Sequence, residues 1–124
     1  MKVFRAIGLG IILWLLIFIE VGVLLFALEF SPSSDAYYVS HFVFLVFFSL
    51  FVNLAYFWGG NKVRGGFLAG FGAGLLFLLT SIILDALITV PFFVKDYGFF
   101  LRTEILLGMA VVLVISSLVG MARR

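Results

Sequence analysis

The chain has 124 residues, of which 65% are hydrophobic and 11% charged, against about 25% charged in soluble domains. A water-soluble domain this small cannot cover so much apolar surface, so the composition points to an integral membrane protein. With no cysteine, disulfides, thiolate nucleophiles and thiolate metal ligands are excluded, and the net charge of +2 gains meaning only from where the charges fall.

The first apolar segment, 3–30, follows Lys2 and contains Arg5 near its start. Its apolar run is longer than the roughly 7–15 residues of a signal-peptide core, and no small-x-small cleavage pattern follows it. It therefore reads as a signal anchor retained in the mature protein. Glu20 interrupts the run about 20 Å from the boundary near Ile7 and about 10 Å short of the far interface, too deep for simple snorkelling. It shares a helical face with Ala6, Leu9, Leu13, Leu24 and Ala27. The connector that follows, "SPSSD", holds good helix-start residues: serine to cap amides, proline for a first turn, and Asp35 to complement the dipole.

The second segment, 36–58, is bracketed by Tyr37 and Tyr38 at one end and Tyr56 and Trp58 at the other, as interfacial anchors should be. Ser49, Asn53, Tyr56 and Gly60 fall on one face. His41 projects from a different face, about one turn inside the boundary, and reads as an interface residue.

The third segment, 67–90, is entered through "GGFLAGFGAG". Gly66, Gly70 and Gly74 lie within about 80° of one another, and Phe77, Ser81 and Asp85 continue the stripe over roughly 100°. Small residues at this spacing let two helices approach closely. The stripe is thus a packing face that turns Asp85 inward, while Leu68, Leu75, Leu79 and Ile82 face lipid. Asp85 is also near enough to the segment's end to pair with Lys95 or Arg102. Pro91 ends or kinks the helix, and "FFVKDYGFF" reads as a short interfacial segment. The fourth segment, 100–122, offers Gly108, Ser116, Ser117 and Gly120.

Each segment is long enough to cross a hydrocarbon core of about 30 Å at about 1.5 Å per residue. Backbone groups cannot stay unpaired in lipid, so all four are helices, and none alternates as a β-barrel strand must. The expected fold is a single all-α domain, a four-helix transmembrane bundle threaded up-down-up-down. Six of the eight basic residues (Lys2, Arg5, Lys62, Arg64, Arg123 and Arg124) fall on one side; Lys95 and Arg102 fall on the other. The positive-inside rule then puts both termini in the cytoplasm, with the protein multi-pass in the cell membrane. So strong a bias excludes dual topology. The acids at the membrane surface, Glu29, Asp35, Asp96 and Glu104, sit on the opposite side.

A charge at the bilayer centre costs about 3 kcal/mol on the insertion scale, so intramembrane ionisable groups are functional candidates. Here these are Glu20, Asp85 and His41, with Asn53 and Ser81 as polar companions. One histidine cannot supply paired haem ligands, and Glu20, His41 and Asp85 lack metal-ligand spacing. There is no phosphate loop, nucleophile elbow or zinc-protease helix. No catalytic residue, metal or cofactor is assigned, and the chain is not read as an enzyme. The basic ends suit anionic lipid heads and are too few for nucleic acid. Expected partners are membrane lipid and either further copies of the chain or a larger membrane complex. The leading reading is a non-catalytic structural, accessory or assembly subunit that packs through its Gly-rich third helix. The alternative is a small oligomeric transporter or channel with an outward-facing polar pocket at Glu20 and Asp85. A membrane enzyme acting on a lipid or quinone ranks third.

Helices 1 and 3 each carry Gly-x-Gly, an apolar run and one acid, so the two hairpins can form a parallel repeat about a two-fold along the membrane normal. The stretch "GGFLAGFGAGLLFLLTSIILDALITVPFFVKDYGFF", with "GLGIILWLLIF" in the first helix, resembles a family of small four-span prokaryotic membrane proteins with no established activity. That resemblance implies the fold and supplies no function. Glu20 is also similar to the first-helix glutamate of small multidrug transporters, but their tryptophan and tyrosine pattern is missing. The fluoride-channel motifs are absent.

Overall fold

The computed structural model describes residues 3–28, 35–58, 65–94 and 103–122. Helix α1 (Val3–Gly22) runs into a π-helical turn, Val23–Ala27. Helix α2 spans Asp35–Trp58. Helix α3 (Phe67–Leu84) continues as a second π-helical stretch, Asp85–Val94, and α4 spans Thr103–Ala122. The described residues are all helical apart from short helix ends, and four helices are long and apolar enough to cross a membrane: Val3–Ala27, Asp35–Trp58, Phe67–Phe92 and Ile105–Ala122.

The surface is apolar where a soluble protein would be polar. Phe4, Leu68 and Phe26 are 90%, 80% and 79% exposed, and Leu75 and Leu79 also face outward. Such a surface is at home in hydrocarbon, not in water. The core is built from Leu13, Val52, Tyr56, Phe57 and Phe77, all essentially inaccessible, with buried polar side chains among them at Ser49, Asn53 and Ser116.

Helix order around the bundle is not the order in the chain. Helix α1 packs on α2 and α3, and α4 packs on the same two. Helices α2 and α3, consecutive in sequence, therefore lie across a diagonal, where the rings of Tyr56 and Phe77 meet edge to face. This arrangement contradicts a two-fold along the membrane normal relating the two hairpins. Such an axis requires α1 and α3 on opposite corners or, if they meet at the axis, α2 and α4 far apart. Here α1 touches α3 and α2 touches α4.

The closest approach is between α3 and α4. A Cβ built on Gly70 would collide with the Ser116 carbonyl oxygen, and one on Gly74 would lie 2.9 Å from Ser116 Cβ. A Cβ on Gly120 would fall 2.5 Å from the Gly66 carbonyl oxygen. The Gly66 amide donates to the Gly120 carbonyl at 2.6 Å, a backbone hydrogen bond between helices. Gly66 adopts φ 124° and ψ 164°, a conformation essentially restricted to glycine. Residue numbers rise along α3 as they fall along α4 through these contacts, so the two helices run antiparallel. Gly10 makes the corresponding approach between α1 and α3, where an added Cβ would lie 3.0 Å from Thr80 Cβ.

Two sequence expectations change here. The glycine stripe was expected to carry Asp85 toward the same neighbour, but Gly70 and Gly74 meet α4 while Asp85 meets α1. A stripe about 100° wide on a helix in a corner of the bundle faces two neighbours, and its far end turns to the second. Of the two fates expected of Pro91, ending or kinking the helix, the first does not occur, since helical winding continues to Val94. Proline lacks an amide donor and crowds the carbonyl four residues back; the wider π winding relieves that crowding. The interfacial segment expected beyond Val94 lies outside the described residues.

Replacing Gly70 with alanine is expected to destabilise the bundle by about 1–3 kcal/mol through overpacking against Ser116. Gly8→Ala, where nothing lies within 4 Å of the added carbon, is the matched control and should change stability little. Reversible unfolding in mixed micelles measures both. Equal stability of the two variants would contradict the close α3–α4 contact.

Candidate functional site

Side-chain hydrogen bonds tie α1 to both of its neighbours. Arg5, near its start, donates from Nη1 to the Tyr56 carbonyl at 2.9 Å. That carbonyl is in the last turn of α2, where a cation complements the helix dipole. About two and a half turns farther on, Trp14 donates its indole N–H to Asp85 Oδ1 at 2.8 Å, tying α1 to the end of α3. The same oxygen accepts the hydroxyl of Thr89 at 2.7 Å, one turn along the π-helical stretch that Asp85 opens. An indole can only donate and a carboxylate accepts at several lone-pair sites, so the two are matched. Trp14 is buried and rests beside Phe18, with ring centroids 5.1 Å apart.

Glu20 points the other way, to α2. His41 Nδ1 lies 3.1 and 3.2 Å from its two carboxylate oxygens. With Nδ1 protonated, one N–H is shared between them. Glu20 is 7% exposed, and the His41 side chain 12%. The Tyr37 ring stacks on the imidazole at 5.8 Å and 4°, and Phe42 meets it edge on. His41, read from sequence as an interface residue on a separate face, is thus turned inward as the partner of Glu20. The physical reason is that a nearly buried carboxylate on α1 offers it a hydrogen bond that hydrocarbon does not.

Glu20 and Asp85 do not share partners. Glu20, on α1, turns to α2, whereas Asp85, at the end of α3, turns to α1, so the polar pocket that the transporter reading puts at the two acids resolves into two separate contacts. Lys95 and Arg102, the other expected partners of Asp85, lie outside the described residues. Asn53 and Ser81 join neither contact. Asn53 is fully buried and donates to the Ser49 carbonyl at 2.7 Å. Asn53 Oδ1 and the hydroxyls of Ser49, Ser81 and Ser116 are buried without a hydrogen-bond partner. Thr80 and Ser117 instead bond back to the carbonyls of Leu76 and Leu113. Among the described residues no three His, Cys, Asp or Glu side chains are grouped to hold a metal ion.

Beside Glu20 the seam between α1 and α2 opens into a groove of about 300 Å³, lined by Leu16, Ile19, Val23 and Leu24 with Phe44 and Phe48 opposite. The π turn begins three residues after Glu20, and its defining bond, Leu28 amide to Val23 carbonyl at 2.9 Å, closes a wider loop than an α-turn.

Sequence reasoning missed Trp14 and Thr89. A signal existed for each. Tryptophan favours the membrane interface, so Trp14 deep in a span is out of place unless its N–H has a partner. Thr89 stands four residues after Asp85, within helical reach.

The geometry defines a class, an all-helical bundle with four membrane-capable spans, pinned by carboxylates between helices. No protein-family model, no curated protein and no solved structure matches the chain.

A double-mutant cycle between Trp14→Phe and Asp85→Leu should return a coupling of about 0.6 kcal/mol, the average for hydrogen bonds between membrane helices, and at most about 1.7 kcal/mol. Unfolding in mixed micelles reads it. Additive single effects would mean that the indole and carboxylate do not meet.

Proposed function

We propose that this chain is a multi-pass protein of the prokaryotic cell membrane, threaded up-down-up-down with both termini cytoplasmic. In this reading it serves as a non-catalytic structural, accessory or assembly subunit and belongs with the small four-span proteins it resembles. The threading draws support from the antiparallel α3–α4 contacts and from the lysine and arginine bias of the sequence. The observation that carries the functional reading is how the intramembrane acids are used. Asp85 bonds Trp14 of α1, and Glu20 bonds His41 of α2, so each acid fastens one helix to another. The Gly-rich third helix is likewise spent inside the chain, against α4. What remains for a partner is the apolar outer surface, with exposed aromatics such as Phe4, Phe26, Phe47 and Phe92. Native mass spectrometry after extraction in native lipid discs tests this. A particle heavier than one 13.8 kDa chain, through further copies or a second protein, is expected. A lone monomer would sink the reading.

A small oligomeric transporter or channel is the second reading, favoured by the position of Glu20 on the wall of a groove. Its site comprises Glu20 and His41 in place of Glu20 and Asp85. Under it, Glu20→Gln changes flux into proteoliposomes or its pH dependence; unchanged flux would remove it.

A further inference from the structure

Two polar contacts pin α1 to α2, one toward each end of their seam. At the start of α1, the Arg5 guanidinium donates to the Tyr56 carbonyl at 2.9 Å. About 22 Å farther along the helix, Glu20 holds His41 Nδ1 at 3.1 and 3.2 Å from its two oxygens. The two ends differ in kind. A guanidinium keeps its charge at every physiological pH. An imidazole is the side chain whose charge changes between about pH 5 and 8. His41 is the one histidine of the chain. The α1–α3 and α3–α4 seams are made instead with an indole N–H, on a carboxylate that also holds a hydroxyl, and with glycine backbone.

The proton has a defined place to enter. With Nδ1–H shared between the Glu20 oxygens, Nε2 carries the lone pair that accepts a second proton. Uptake there turns a neutral donor into an imidazolium facing a carboxylate. Opposite charges attract far more strongly in a poorly solvated seam than in water. Glu20 is the charge that faces His41. On α2 itself, Tyr37 stacks on the ring and Phe42 meets it edge on, and phenols are neutral in this range. Asp35, at the start of α2, is exposed. Arg5 is engaged at the other end of α1, and Asp85 is turned to Trp14 and Thr89. On α4, residues 105–122 carry no ionisable side chain. Glu29 and the Glu104 side chain lie outside the described residues.

The seam has room to respond. Regular winding of α1 gives way to the π turn three residues after Glu20. Beside the pair, the apolar groove of about 300 Å³ shows that side chains of α1 and α2 do not fill the seam. The two helix ends therefore draw together there without overpacking.

We propose that Glu20 and His41 form a pH-operated clasp between α1 and α2. A proton taken up at His41 Nε2 draws the helix ends together, its release lets them part, and the Arg5 end stays fixed. The contact is strongest at acid pH and weakens as pH rises through the titration of the imidazole. It requires no transport, so it is separate from both functional readings above.

The test uses the full-length chain in lipid nanodiscs. The chain has no cysteine, so spin labels attach only where cysteines are introduced. Phe26→Cys with Val39→Cys places labels at exposed positions beside the clasp; Phe4→Cys with Leu54→Cys places them at exposed positions beside the Arg5 end. Double electron–electron resonance reads both distances. For the first pair, the ratio of close to separated populations should be about tenfold higher near pH 5 than near pH 8. The second pair should not change. Glu20→Gln keeps the side chain's shape and removes its charge, and His41→Gln removes the proton acceptor. Each should abolish the response of the first pair and leave the second distance as it is, which also shows that the variant folds. A native chain whose first distance ignores pH would overturn the proposal. So would a response that survives Glu20→Gln, or one of equal size at the second pair, since the whole bundle would then be loosening.

Discussion

A carboxylate inside a hydrocarbon layer must find a donor or lose its charge, and this bundle is arranged around two such carboxylates. Lipid tails are as apolar as leucine, so no hydrophobic force drives one membrane helix onto another. Specific polar contacts and close packing must decide which helices are neighbours. Here α1 does most of that deciding. It offers Trp14 to Asp85 of α3, presents Glu20 to His41 of α2, and reaches with Arg5 to the end of α2. A charge at the bilayer centre costs about 3 kcal/mol on the insertion scale, and an acid that finds a donor offsets part of such a cost. The α1–α2 and α1–α3 seams follow from avoiding that cost.

The other side of the bundle is joined by a different means. Helices α3 and α4 carry no ion pair between them among the described residues; they meet where glycines leave room. Gly66, Gly70, Gly74 and Gly120 bring backbones close enough for one amide to donate across the gap. The two mechanisms divide the length of α3. Its glycines engage α4 near the start, and Asp85 engages α1 near the end. The winding changes from α to π at Asp85, and α1 makes the same transition just after Glu20. Wider winding near each acid re-aims the side chains that follow it, which regular 100° periodicity cannot anticipate.

Much of this was legible in the residues and some was not. Length and apolarity define the spans because the thickness of a membrane is a physical constant of the problem. The outward leucines of α3 and the close-packing glycines were readable from helical geometry, since small residues every fourth position have few other uses. The identity of the neighbour was not. Nothing local tells Gly70 whether it meets α4 or a second copy, or sets α2 and α3 on a diagonal. Nor does it separate Glu20 and Asp85 into two contacts. Those facts depend on how all four helices share one cross-section. His41 was placed at an interface because the partner that draws it inward is on another helix. Trp14 was overlooked because tryptophan among leucines reads as bulk, not as a donor.

The chain's composition makes the central contact accessible to a direct measurement. His41 is the one histidine, so ¹⁵N-histidine labelling reports a single site. In bilayers, rotational-echo double-resonance NMR between ¹⁵N-histidine and ¹³Cδ-glutamate measures whether that imidazole lies against a carboxylate. The structure predicts rapid dephasing of the Nδ1 signal, consistent with an N···O distance of 3.1 Å, and its loss in Glu20→Gln prepared without labelled glutamine. Absence of dephasing in the native chain, or dephasing that survives Glu20→Gln, would contradict the claim that this pair fastens α1 to α2.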